Sequence, residues 1–525
     1  MTRKQAWFAG IGTVAAVGLA GFALAGFNLK RKFEPYLRAQ AIHYLQERFH
    51  SEVQLAALHV SLPKLSPMRW ALTRGRGTHL WVDGEGLVMR HKGREDVAPM
   101  FAIRKFSFAV DTDTLLGGRK VVPVVEVEGL ELNLPPKGER SELGAPPPSE
   151  GDDENRTGVQ LQEVRIKDAS FAMLPRDPKK KPLHFAIHQL TLHSAGKGVP
   201  MKYDATLTNP TPPGEIHSVG DFGPWNGDEP GDTPLSGDYT FDHADLGVFR
   251  GIAGILSSRG RFEGELDTIT ARGEATVPDF RLKRSGNRVP LKTKFEVLVD
   301  GTNGDTTLKP VAATLGATHF TTSGVVFKNE GDTHRQIHLD VNMPDGRMRD
   351  VLLLAMKDSP FMEGRLRLKT KLVVPPLTGK VVEKLRLNGE FQVSEGHFLR
   401  STIQDQIDML SRKGQGQPKN QQIDEVISVM TGKFKMEDQV ISFGDLTFGV
   451  SGADVNLDGS YDLDEDALDF HGALRLQAKV SQTMTGWKHW LLKPVDPFFS
   501  KHGAGTYLKI KVAGNAKAPK FGLDR

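Results

Sequence analysis

Residues 432–480 constrain the fold most strongly, because their apolar residues recur at every second position in short bursts. Successive side chains of a β-strand point to opposite faces, so this period predicts strands with one apolar face and one polar face. Residues that close tight hairpins separate the bursts, among them Ser451-Gly452, Gly459 and Asp464-Glu465-Asp466. The stretch therefore predicts an antiparallel meander, and most of the chain repeats the pattern.

Length and composition bound the classes of protein that fit. The 525 residues exceed one usual domain, and 38% hydrophobic residues with a mean hydropathy of −0.34 suit a soluble body and exclude a multi-span membrane protein. A net charge of +4, nearly balanced, argues against a nucleic-acid partner. The chain has no cysteine, so it carries neither a disulfide framework nor a thiolate metal site.

Residues 6–27 carry no charge and are long enough for one helical crossing of a bilayer, with Trp7 and Phe27 near the two ends. We expect an N-terminal transmembrane anchor over residues 1–29. A cleaved signal peptide is the alternative, since Ala23-Leu24-Ala25 supplies an A-x-A pattern, but signal cores are usually shorter. Basic residues flank the span on both sides, so charge leaves its orientation open.

The remaining chain divides by composition. Residues 30–49 show helical periodicity and, with strands to 135, form a first segment. Residues 136–158 are Pro-rich and acidic and predict a flexible linker. Residues 159–400 form a central β region and residues 401–525 a C-terminal β region. Short helices are expected at 245–255, 347–356, 401–409 and 424–430.

Residues 485–499 break the alternation with bulky aromatic side chains. A lid over one end of the sheet is one interpretation, and an element that contacts lipid or a partner is the other. The residues that would make this contact are Trp487, Trp490, Phe498 and Phe499.

Motifs for catalysis, metals or cofactors are not evident in the sequence. No nucleophile elbow, P-loop or zinc-protease motif occurs. Asp462, Asp464 and Asp466 imitate the start of a calcium loop, but Ala467 replaces the required glycine, so we expect a hairpin turn there. The sequence therefore predicts a protein that is not an enzyme and has no catalytic or metal-ligating residues and no cofactor.

Several segments resemble the AsmA-like family of bridge-type lipid-transfer envelope proteins. They are FEPYLRAQAIHYLQERFHSEVQL at the start, FGPWNGDEPGDTPLSGDYTF and DLGVFRGIAGILSSRGRFEG in the centre, and DGSYDLDEDALDFHGALRLQAKVS, TGWKHWLLKPVDPFF and GAGTYLKIKVAGNAKAPKFGLD near the end. The resemblance implies a single-pass anchor in the bacterial inner membrane, a periplasmic body and a role in phospholipid transport and outer-membrane integrity. This chain is shorter than the long family members, which leaves open whether it spans two membranes alone.

The fold that follows is mainly β: an elongated, twisted antiparallel sheet which, as the resemblance implies, curves into an apolar-lined groove, with an N-terminal transmembrane helix and a few short helices. Membrane phospholipids are the expected partners, together with other proteins of the envelope. The candidate groove residues are Val125, Val127, Leu132, Leu134, Leu366, Leu368, Phe391, Val393, Leu446, Phe448, Leu474 and Leu476.

Three functions remain in competition. A lipid-transfer protein would hold these side chains along a continuous cavity. A structural or regulatory factor that assists outer-membrane protein assembly would interlock them in a dry sandwich. A carbohydrate-active or hydrolytic β-protein lacks a paired acid site.

Overall fold

The computed structural model describes residues 52–61, 79–90, 98–99, 101–111, 121–134, 160–173, 183–195, 200–224, 230–301, 303–329, 332, 334–376, 380–417, 426–479, 505–516 and 519–524, with scattered positions between 35 and 46. The protein is mainly β, as predicted, and its strands form mostly antiparallel sheet. The described positions between 35 and 46 are helical. The predicted span at 6–27 and the linker at 136–158 lie outside the described residues.

The chain divides into two compact units. One comprises Met1–Tyr239 with Glu263–Leu266, and the other Thr240–Phe262 with Asp267–Arg525. The division falls within two strands, β9 (Pro234–Asp245) and β11 (Ile255–Glu265).

The first unit contains eight strands that pair with their neighbours in chain order. They are β1 (Glu52–Ser61), β2 (His79–Arg90), β3 (Phe101–Asp111), β4 (Val121–Leu134), β5 (Gln160–Met173), β6 (Leu183–Ala195), β7 (Met201–Pro210) and β8 (Pro213–Phe222). All these pairs are antiparallel except β4 with β5, which is parallel. The expectation of an antiparallel sheet is therefore wrong at this pair, because β4 and β5 begin at the same end of the sheet.

In the second unit, β12 pairs with β14 and each later strand pairs with the next, always antiparallel. These strands are β12 (Thr268–Val277), β14 (Leu291–Val299), β15 (Thr306–Leu315), β16 (Thr318–Phe327), β17 (Gln336–Arg347), β18 (Met362–Val374), β19 (Arg386–Phe398), β20 (Ser428–Glu437), β21 (Val440–Val450), β22 (Ala453–Asp462), β23 (Ala467–Leu476), β24 (Thr506–Asn515) and β25 (Lys520–Leu523). The meander predicted for residues 432–480 is confirmed as β20 to β23. Every consecutive pair from β14–β15 to β21–β22 contains a register shift. Such bulges bend and twist the strands.

Short elements leave the sheet of the second unit. β10 (Ile252–Ala253) pairs with β13 (Arg281–Leu282), and the helices are α1 (Met348–Ala355), α2 (Val381–Lys384) and α3 (Ser401–Gly414). α1 and α3 confirm the helices predicted at 347–356 and 401–409, and α3 continues to Gly414. The prediction of a helix at 424–430 is wrong, because β20 begins at Ser428 and pairs with β19. At 245–255 only Leu246–Val248 form a single 3-10 turn before the chain becomes extended.

Candidate functional site

The candidate site is the apolar face of the sheet in the second unit. Residues paired across antiparallel strands share a face, so the registers identify its members directly. One row runs Phe391, Gly432, Phe434, Phe443, Gly459 and Phe470, then Val512 and Phe521. This row crosses every strand from β19 to β25.

Phenylalanine rings lie across glycines within this row. Gly459 separates Phe443 and Phe470 in the register, yet their ring centroids are only 5.8 Å apart. Phe391 contacts the rings of Phe434 and Phe443 at 6.2 and 6.3 Å. A Cβ at Gly459 would lie 2.2 Å from the Asp469 carbonyl oxygen and 2.8 Å from the Phe470 ring, so the glycine is required for this packing.

Burial along the face is uneven. At the end where β18 begins and β19 ends, α1 packs on the sheet, and Val393 is 0% and Leu366 3% exposed beneath it. Further along the same strands, Leu368 and Phe391 are only half-buried. Leu446, Phe448 and Leu474 are also half-buried. Side chains between two packed sheets are normally buried on both sides, so partial exposure is typical of a face with one layer.

The structure places the twelve candidate groove residues as follows. Leu366, Leu368, Phe391, Val393, Leu446, Phe448, Leu474 and Leu476 all lie on this apolar face. Of these, Leu366, Val393 and Leu476 are buried and serve packing. Val125, Val127 and Leu132 belong to the first unit, and Leu134 ends β4. Trp7, Phe27, Trp487, Trp490, Phe498 and Phe499 lie outside the described residues.

The apolar face of the first unit carries a shift of phase that strict alternation does not predict. In β1 to β6 the inward side chains usually alternate with one outward residue. At one height along these neighbouring strands, two residues lie between successive inward side chains, as between Val127 and Leu130 in β4. Left-handed backbone at Gly86, Gly129 and Asp168, with φ of 64°, 69° and 54°, occupies this level. The shift brings Leu132 to the same face as Val125, which a strict period of two would place on opposite faces.

The opposite face of the second unit is polar and held by exposed ion pairs. Glu296 accepts from Arg272 Nε at 3.0 Å and from Lys309, and these hydrogen bonds, Lys309 first, lower the pKa of the Glu296 carboxyl. Two shallow hollows of about 520 and 560 Å³ lie mainly on this face, with Lys294, His319 and Asn342 in the lining of the first and Asp340, Lys369 and Asn388 in that of the second. These hollows do not contain the candidate groove residues.

A segment that sequence reasoning missed lies beside the sheet. Between β13 and β14, Arg284 donates to the carbonyl oxygen of Leu463 at 2.5 Å, and Asn287 donates to the carbonyls of Leu353 and Met356 at 3.1 and 2.7 Å. Arg284 and Asn287 are three positions apart, so their backbones lie within about 10 Å of each other. The segment therefore ties the end of α1 to the turn between β22 and β23.

That turn is the predicted hairpin at the calcium-like aspartates. The Asp462 carboxylate accepts from the backbone N–H groups of Asp464 and Glu465 at 2.8 and 3.0 Å. The Tyr461 hydroxyl donates to Asp466 at 2.7 Å, and burial followed by this hydrogen bond raises the pKa of Tyr461 to about 12. The aspartates thus stabilise the turn, as Asx residues commonly do.

Comparisons with known proteins add no family assignment. No family model, curated protein sequence or solved structure matches this chain. Among the helices that the structure describes, none combines the length and apolar character needed to cross a bilayer.

Proposed function

We propose that this protein is a non-catalytic AsmA-like envelope protein that binds phospholipid acyl chains on the apolar face of its second unit and transfers them between membranes. In this proposal residues 1–29 anchor the chain in the bacterial inner membrane and the β units lie in the periplasm. The role is maintenance of the outer membrane. The observation that supports it most is the run of apolar side chains that crosses β18 to β24 on one face, in which Leu368, Phe391 and Phe443 are half-buried.

The energetics favour this use of the face. Exposing an acyl tail of about 16 carbons to water costs roughly 0.8 kcal/mol per methylene, or about 12 kcal/mol per tail. A tail that lies on one face of Leu, Val and Phe is shielded from water on about half of its surface, so roughly 6 kcal/mol of that cost per tail is removed while the headgroup stays in water.

The dimensions also fit. Seven strands about 4.8 Å apart give a row roughly 29 Å long. The hydrocarbon core of a bilayer is about 30 Å thick, so each tail occupies about half of that length. The row is therefore long enough for two tails end to end.

The test compares two neighbouring substitutions on β18. Leu368 is half-buried on the apolar face, and Lys369, the next residue, is exposed on the polar face. Leu368→Asp introduces a carboxylate where a tail would lie, whereas Lys369→Asp is the matched control. The full chain is purified in mild detergent, and retained phospholipid is measured by native mass spectrometry.

We expect one or more phospholipids on the parent chain and on the Lys369→Asp variant, and loss of this lipid in Leu368→Asp. Lipid bound around residues 1–29 is expected to be equal in all three proteins, so it does not affect the difference in retained phospholipid between them. A parent chain without lipid, or equal lipid in all three, would refute transfer on this face. That result would favour the factor that assists outer-membrane protein assembly.

A further inference from the structure

Three short segments of the second unit that contact one another combine exposed apolar and basic side chains. They are the 3-10 turn Leu246–Val248 with the following residues to Gly251, Lys283 and Arg284 after β13, and the α2 segment from Lys380 to Lys384; together we call them the basic tip. The Lys283 backbone N–H donates to Gly251 O at 3.0 Å, and Lys283 Nζ donates to Gly247 O at 2.7 Å. A Cβ on Gly251 would lie 2.9 Å from Val381 Cγ2, so α2 packs directly beside it.

Two large apolar side chains project from this tip. Val248 is 48% and Phe249 37% exposed, whereas their neighbour Leu246 is buried. Asp245 Oδ1 accepts from the Gly247 N–H at 2.7 Å, and the Phe249 N–H donates to Leu246 O at 3.0 Å. The turn is thus fixed by hydrogen bonds with its apolar residues directed outward, rather than left open by a loose loop.

The residues of the basic tip itself carry a net positive charge. Five basic side chains belong to the tip and all are exposed: Arg250, Lys283, Arg284, Lys380 and Lys384. Its acidic members are Asp245, engaged with the turn, and Glu383, which pairs with Lys380 at 3.5 Å. Five basic and two acidic side chains leave the tip an excess of three positive charges, and the four carboxylates of the Asp462–Asp466 turn lie at its edge. The Asp462–Asp466 turn, reached by Arg284, bounds the tip on one side.

We propose that the basic tip docks on an anionic lipid surface, with Val248 and Phe249 entering the headgroup region. Apolar residues inserted at the interface, ringed by Lys and Arg, are the combination by which peripheral elements bind anionic bilayers. An acidic protein would match the charge but would need a complementary apolar pocket for Val248 and Phe249, whereas the interface of a bilayer accepts them without one. The docking is independent of lipid carriage on the apolar face.

The experiment uses the absence of native cysteine. Val248→Cys gives the full chain a single thiol for an environment-sensitive nitrobenzoxadiazole label, and Thr307→Cys, exposed on β15, is the control site. The labelled chain is held in phosphatidylcholine nanodiscs and titrated with vesicles of phosphatidylcholine alone or with about 30% phosphatidylglycerol. We expect a blue shift and brighter emission from position 248 only with the anionic vesicles, reversed by 0.5 M salt.

A charge reversal tests the role of the basic residues. Lys384→Glu removes one attraction and adds one repulsion, so at about fivefold per charge the vesicle affinity falls roughly 30-fold. Lys292→Glu on β14 changes the net charge equally and leaves the affinity unchanged.

Three results overturn the proposal: equal shifts with zwitterionic vesicles, no effect of Lys384→Glu, or a shift with soluble polyglutamate but not with vesicles. The last would assign the tip to an acidic protein. Loss of lipid carriage in Leu368→Asp leaves this signal unchanged, so the two proposals fail separately.

Discussion

Two leucines on the same face of β18 test whether the apolar face is open. Leu366 is 3% exposed in a cluster with Leu352 and Val393, whereas Leu368, two residues later, is half-buried. A change from Leu to Ala removes three carbons, worth roughly 2.4 kcal/mol of transfer free energy when fully buried. An enclosed site adds the cost of a cavity, so Leu366→Ala lowers the unfolding free energy by about 3–4 kcal/mol.

At Leu368 about half of the transfer term is lost and no enclosed cavity forms, so we expect about 1 kcal/mol. Arg367→Ala, between them on the polar face, is the control and changes stability by less than about 0.5 kcal/mol. Hydrogen exchange of β18 and β19 amides in the lipid-free chain measures the differences locally. Exchange should accelerate roughly 150-fold or more for Leu366→Ala and about fivefold for Leu368→Ala. A loss near 3 kcal/mol at both leucines would show that the middle of the face is covered, and the reasoning for an open face would fail.

Three further predictions follow from particular contacts. Gly459→Ala places a Cβ against the Asp469 carbonyl oxygen and destabilises the second unit by about 1–3 kcal/mol. The control Gly444→Ala, with nothing within 4 Å of its Cβ, leaves the thermal midpoint nearly unchanged. Equal midpoints for both variants would contradict the packing described. Thr318→Val removes the hydroxyl that donates to Asp350 at 2.8 Å and accepts from the Arg347 N–H at 2.9 Å, so stability in denaturant falls by about 1–3 kcal/mol, a loss that Thr318→Ser should largely avoid. The hydrogen bond between His471 and Asp524, 3.0 Å long, raises the pKa of His471 and lowers the pKa of Asp524. The protection of β25 amides against hydrogen exchange is therefore lost when the pH rises through the raised His471 pKa. It is lost again when the pH falls through the lowered Asp524 pKa. His471→Gln should remove the step at higher pH, and an unchanged exchange profile would exclude the link.

Period-two alternation was sufficient to predict the meander of residues 432–480, because a sheet with one apolar face imposes that spacing on its strands. It could not predict direction. The parallel pairing of β4 and β5 depends on where the 135–159 connection returns the chain, and no side-chain pattern records that. The helix predicted at 424–430 failed for a related reason, since pairing of Ser428 and Met430 with β19 outweighs local helical spacing.

The candidate residues show the same division between local and long-range information. Alternation identified Leu368, Phe391, Leu446 and Leu474 as apolar-face positions, but only the packing of α1 distinguishes buried Leu366 and Val393 from them. The basic tip was missed because Gly247, Lys283 and Val381 are far apart in sequence. Its one local signal was the apolar Val248-Phe249 pair between Gly247 and Arg250.

The shared shift of phase in the first unit limits how that unit can change. Each of β1 to β6 carries its additional residue at the same level, including Gly129 in β4 and Asp168 in β5. Deleting that residue from a single strand would turn half of its apolar side chains to solvent while its neighbours stayed in place. A strand grafted from an ordinary sheet would fail in the same way, so lengthening this unit by duplication requires strands copied from within it.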